Sequence, residues 1–108
     1  MAFQLPANYR GVMLDASYWP IGEMQISYRR FIAAVDIDMY ADAHAYQENV
    51  TDNILLTRRY VVPPQNFAVI FSPMNTAEEI RTHLYEFLRN ALLEGEETAF
   101  FLNAIEVE

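Results

Sequence analysis

Apolar residues at every second position mark the middle of this chain. From Phe31 to Met39 the odd positions are Phe31, Ala33, Val35, Ile37 and Met39, while Asp36 and Asp38 fall on the other set. That period of two predicts a strand with one buried and one wet face. Just before it, Met24, Ile26 and Tyr28 alternate with Glu23, Gln25 and Ser27, so Gly22–Tyr28 is the expected partner strand, with Arg29–Arg30 at the hairpin turn. A third strand is expected over Ile54–Val62, where Ile54, Leu56, Tyr60 and Val62 share a face that Arg58 interrupts; Pro63–Pro64 ends it. Ala41–Asn53, polar and punctuated by Asn49, Asp52 and Asn53, predicts a loop or a bent strand extension. Phe67–Phe71 is a short apolar run whose length favours a buried strand.

The period then changes. Ala77, Ile80, Leu84, Phe87, Leu88, Ala91 and Leu92 recur at three- and four-residue spacings, the stripe of an amphipathic helix over 76–94. Asn75 or Thr76 offers an N-cap, Glu78 or Glu79 completes a capping box, and Gly95 follows as a left-handed stop. The tail over 98–108 is apolar enough to dock, with a final strand around Ile105 and Val107. Together these elements predict an α+β fold: a small antiparallel β-meander with one C-terminal helix packed on one face, as a single domain over 1–108.

Composition narrows the function classes. Hydrophobic residues make up 53% of the 108 and charged residues 20%, which excludes intrinsic disorder. There is no Cys, hence no disulfide framework and no thiolate metal site. A net charge of −8, with seven Arg and no Lys, argues against nucleic acid, which demands clustered cations. No apolar run approaches the ~20 residues of a membrane helix, and the start carries no secretory pattern. Three glycines, Gly11, Gly22 and Gly95, are too scattered for a phosphate-cradling loop, and no nucleotide, hydrolase or zinc-protease motif is present. No cofactor is expected.

One constellation could carry chemistry. Asp36 and Asp38 point to the same strand face about 7 Å apart, and with Asp42 and His44 nearby they could hold a divalent metal or share acid–base work. Strand alternation alone also places polar residues at 36 and 38. His83, mid-helix, reads as a solvated histidine more readily than as a pH sensor. The arginine doublets Arg29–Arg30 and Arg58–Arg59 suit bidentate pairing with acids on neighbouring molecules, although codon bias yields the same composition. Tyr18 and Trp19 belong to the residue types enriched at protein–protein contacts and in cores alike.

The order of landmarks carries a resemblance. Tyr18-Trp19-Pro20-Ile21, the strand Ala33-Ala34-Val35-Asp36-Ile37, the Asp- and Ala-rich stretch Tyr40–Ala45, Asn49-Val50, Phe67 and Phe71, one long helix, and the ending Asn103-Ala104-Ile105-Glu106-Val107 occur in that sequence. This resembles the small structural proteins of tailed bacteriophages and prophages over roughly residues 11–107; the arginine doublets and Pro63–Pro64 lie outside the shared pattern. The resemblance implies a non-enzymatic virion component of the tail, tail tip or neck, present in the host cytoplasm before assembly, with itself and other virion proteins as partners. The expected contact residues are Tyr18, Trp19, Arg29, Arg30, Arg58, Arg59, Asp42 and His44. Two other classes are carried alongside: a metal-assisted enzyme built on Asp36, Asp38 and His44, and a phage-encoded regulator that binds a host protein.

Overall fold

The computed structural model describes residues 2–107. Four strands follow one another antiparallel: β1 (Ala2–Tyr9), β2 (Val12–Ser27), β3 (Ile32–Met39) and β4 (Leu56–Val62). A short β5 (Ile105–Val107) returns to the outer edge of β1, so the sheet order is β4-β3-β2-β1-β5. Helices α1 (Ala43–Glu48), α2 (Pro64–Ile70) and α3 (Ala77–Asn90) complete an α+β fold around this meander.

The β2–β3 hairpin forms where alternation predicts it, with Ser27 opposite Ile32 and the arginine doublet in the turn. Ala33, Val35, Ile37 and Met39 are buried in β3 as their period demands. The first hairpin was not anticipated. Its turn is Arg10–Gly11, both at positive φ (50° and 82°) as a type I′ turn requires, and the Asn8 side chain accepts from the Gly11 N–H at 3.0 Å. β2 spans both hairpins and changes register at Gly22. A Cβ at Gly22 would fall inside the Asp38 carboxylate, which accepts the Thr57 hydroxyl at 2.7 Å and ties β3 to β4. Gly22→Ala is therefore expected to lose about 1–2 kcal/mol in urea unfolding. The same change on an Asp38→Ala background should cost clearly less, because the obstacle is gone; equal losses on both backgrounds would exclude the clash.

Three predicted elements are corrected. Phe67–Phe71 is not a strand: it belongs to helix α2 and its cap. Pro64 occupies the first turn, where its missing N–H costs nothing, and Phe67, Ile70 and Phe71 fall at helical spacing on the buried side, leaving Val69 outside. The 41–53 stretch contains helix α1, started by Asp42, whose carboxylate accepts from the Ala45 N–H at 2.8 Å. Helix α3 opens with the Thr76–Glu79 capping box but stops at Asn90, so Gly95 turns the loop beyond rather than capping the helix. Asn75 serves the preceding helix instead: its amide donates to the Val69 and Ile70 carbonyls at 2.9 and 3.1 Å.

The core lies between the sheet and the α2–α3 layer. Phe3, Trp19, Val35, Ile37 and Tyr60 on the strands meet Phe67, Leu84, Leu88 and, from the tail, Phe101. Phe101 stacks on Phe3 at 4.6 Å and meets Trp19 edge-on at 5.3 Å, so the tail is docked as its apolar content predicts. On the opposite face α1 covers a smaller cluster, its Tyr46 ring lying 5.1 Å from Tyr18 and 5.0 Å from Tyr40.

Candidate docking surface at the β2–β3 hairpin

Most of the residues expected at a contact surface have structural work elsewhere. Trp19 is 1% exposed and Tyr18 6%, so both are core residues and neither offers surface to a partner. The correction has a simple cause: β2 is covered on both faces at this level, by the tail on one side and α1 on the other. Arg58 turns inward, bonded to Glu96 at 2.7 Å with its guanidinium 4.3 Å over the Phe100 ring. Arg59 reaches across the open sheet face to Asp36, giving two hydrogen bonds of 2.7 and 3.0 Å. Asp42 is a helix cap. His44 stays exposed on α1, 3.7 Å from Glu48.

These placements also take apart the metal constellation. The Arg59 hydrogen bonds hold the Asp36 carboxyl below its ordinary pKa, outweighing a smaller upward push from burial. Asp38 is engaged by Thr57, and His44 lies on a separate helix beside Glu48. Among the described residues no three His, Cys, Asp or Glu side chains come together as a metal site. The paired carboxylates act as cross-strand ties.

Arg29 and Arg30 differ from the other doublet. Both are exposed in the hairpin turn, and neither makes an ion pair among the described residues. On either side of them stand Tyr28 (66% exposed) and Phe31 (56%). Both rings lean edge-on against Phe67 of α2, at 5.8 and 6.0 Å. Phe31 sits at φ 55°, a left-handed conformation that a bulky L-residue rarely adopts. The turn thus holds a strained backbone and keeps two large rings in water, the combination found where strain serves function.

Below the rings runs a groove of about 480 Å³ whose floor is formed by Phe67, Phe71 and Ile80. Ser72 and Asn75 supply the polar rim, and among the described residues no carboxylate, imidazole or cation lines the groove. A second hollow, lined by Met24, Ala77, Leu84 and Arg81, shares Ile80 with the first. Such walls take up apolar side chains; they hold no acid–base pair and no nucleophile with a base beside it. The arginines were visible in the sequence. The groove was not, since Phe67 meets Phe31 only through the tertiary fold, although the Tyr-Arg-Arg-Phe composition of the turn is itself that of a contact hot spot.

Among the described residues no helix is long and apolar enough to cross a membrane. Comparison with protein-family models, curated proteins and solved structures yields no match to this chain.

Proposed function

We propose that this protein is a non-enzymatic structural component that works by docking on other proteins through the β2–β3 hairpin tip. The setting proposed is the virion of a tailed phage, in the tail, tail tip or neck, and it is supported by the sequence resemblance. The observation that carries the docking reading is Phe31: a large, half-exposed ring on a left-handed backbone, over an apolar groove and beside two arginines that make no ion pair among the described residues. Exposed apolar surface of this kind, rimmed by polar groups, marks an interaction site.

The test separates stability from docking. Phe31→Gly removes a left-handed strain of roughly 1–2 kcal/mol and gives up one edge-on aromatic pair of about 0.5–1.5 kcal/mol. The unfolded chain gains freedom worth about 0.5–1 kcal/mol, so net stability should fall by no more than ~1.5 kcal/mol. Docking should fail. In the phage or prophage that encodes the chain, with the native gene deleted, Phe31→Gly is expected to accumulate as folded protein yet yield few or no complete particles. A normal particle yield overturns the docking reading.

A further inference from the structure

We infer that the hairpin tip is occupied by a second copy of this chain, which offers the acidic loop between α3 and β5, so that protomers join head to tail. The inference rests on the docking reading above and names the partner.

The argument is one of charge and shape. In a chain of net charge −8, Arg29 and Arg30 form a cationic tip with no ion pair among the described residues, and the groove beside them contains no acid. Their occupant must therefore bring negative charge together with an apolar anchor. The loop over 92–97 presents that chemistry outward. Leu92 is 54% exposed, and Glu94 and Glu97 are exposed without an ion pair among the described residues.

The loop is also held in shape before any partner arrives. Glu96 alone turns inward, accepting from the Leu93 N–H at 2.9 Å and from Arg58 at 2.7 Å, while its own N–H donates to the Leu93 carbonyl at 3.0 Å. A preformed ligand loses less freedom on binding.

Tip and loop of one molecule do not meet. Glu96 is anchored by Arg58, which pairs with Ile37, and Ile37 lies five residues along β3 from the turn-side end at Ile32. At 3.3–3.4 Å per residue that is roughly 17 Å along the strand. The contact is therefore between copies. Joined head to tail the copies share a heterologous interface, which grows into a ring if its rotation closes and into a filament if it does not.

The test is a charge swap read by light scattering after size exclusion. Wild type is expected as a discrete species larger than a monomer. Arg29→Glu/Arg30→Glu makes both patches acidic, and Glu94→Arg/Glu97→Arg makes both basic; each double variant alone is expected as a monomer with an unchanged circular dichroism spectrum, since all four positions are exposed. Mixing the two in equal amounts restores complementary patches wherever unlike copies meet and should recover a species larger than a monomer, of the wild-type mass where the number of copies is even. A wild type that stays monomeric over a wide concentration range overturns the second-copy assignment, and so does a mixture that remains monomeric. Neither outcome bears on particle yield with Phe31→Gly, which tests docking itself.

Discussion

Replacing Trp19 by alanine is expected to remove about 3–5 kcal/mol of stability, a large share of the roughly 5–15 kcal/mol that holds a domain of this size together. The side chain is 1% exposed and touches the fold through two kinds of interaction. Its ring meets Phe100 and Phe101 edge-on at 5.0 and 5.3 Å, so it is the surface on which the C-terminal tail docks. Its indole N–H donates to the Ser17 hydroxyl at 2.8 Å, and that hydroxyl donates to the Leu5 carbonyl at 2.6 Å. Truncation leaves a cavity between sheet and tail that neither the strand nor Phe101 can fill without moving the other. Trp19→Phe keeps most of the volume and should cost less than half as much. With the only tryptophan gone, the transition is best followed by far-ultraviolet circular dichroism in urea. A loss below ~1 kcal/mol would contradict the burial.

The same residue shows what a sequence can and cannot disclose. Tryptophan and tyrosine are favoured in cores and at contact sites for one reason, their large apolar area with a polar tip. Only neighbours from elsewhere in the chain decide between the two. Around Trp19 the period of two vanishes: Ser17, Tyr18, Trp19 and Pro20 are buried in succession, because both faces of β2 are covered there. A strand covered on both sides has no wet face to alternate with, and for that reason Ser17–Pro20 leaves no strand pattern. β1 was legible in principle, since Phe3, Leu5, Ala7 and Tyr9 do alternate. Pro6 interrupts that pattern, and the structure accommodates it at the irregularity between Leu5 and Ala7.

Elements with one covered face left the clearest pattern. β3 presents a clean stripe, β4 one that Arg58 interrupts, and the Thr76 capping box fixes where the amphipathic α3 begins, although not where it ends. Phe67–Phe71 failed for a different reason. Five apolar residues satisfy both periods, and what settles the matter is Pro64 at the helix start. At the candidate site the arginine doublet could be read along the chain. The left-handed Phe31 and its seat on Phe67 could not, because neither leaves a local signal.

Arg58, which interrupts the apolar face of β4, carries the second large effect. Arg58→Met retains the aliphatic stem and removes the guanidinium, which bonds Glu96 at 2.7 Å, donates to the Tyr60 hydroxyl at 3.0 Å and covers the Phe100 ring. The ion pair is largely shielded, its side chains only 16% and 24% exposed. Breaking a fully buried pair from one side costs about 3–5 kcal/mol. Here Glu96 keeps the Leu93 N–H and an edge to water, so about 2–3 kcal/mol is expected at neutral pH.

The pH dependence identifies the partner. Burial pushes the Glu96 carboxyl upward, but the Leu93 N–H and Arg58 together outweigh it and leave the pKa below the ordinary glutamate value. A carboxyl lowered by folding contributes stability at neutral pH that begins to fade below the ordinary glutamate value and is lost as pH falls through its lower folded pKa. In Arg58→Met the downward pull of the guanidinium is gone while that of the Leu93 N–H remains. The Glu96 pKa therefore moves up towards the ordinary glutamate value, and protonation there costs the variant less than it costs wild type. The stability gap between wild type and Arg58→Met is therefore expected to be full at neutral pH and to narrow as pH falls into and below the ordinary glutamate range, as read from urea midpoints at each pH. A gap of constant size across that range would assign the loss to packing over Phe100 and Tyr60 rather than to the bond with Glu96. Arg58→Lys completes the argument: it restores the charge without the planar fork, and it should recover the pH dependence but only part of the stability.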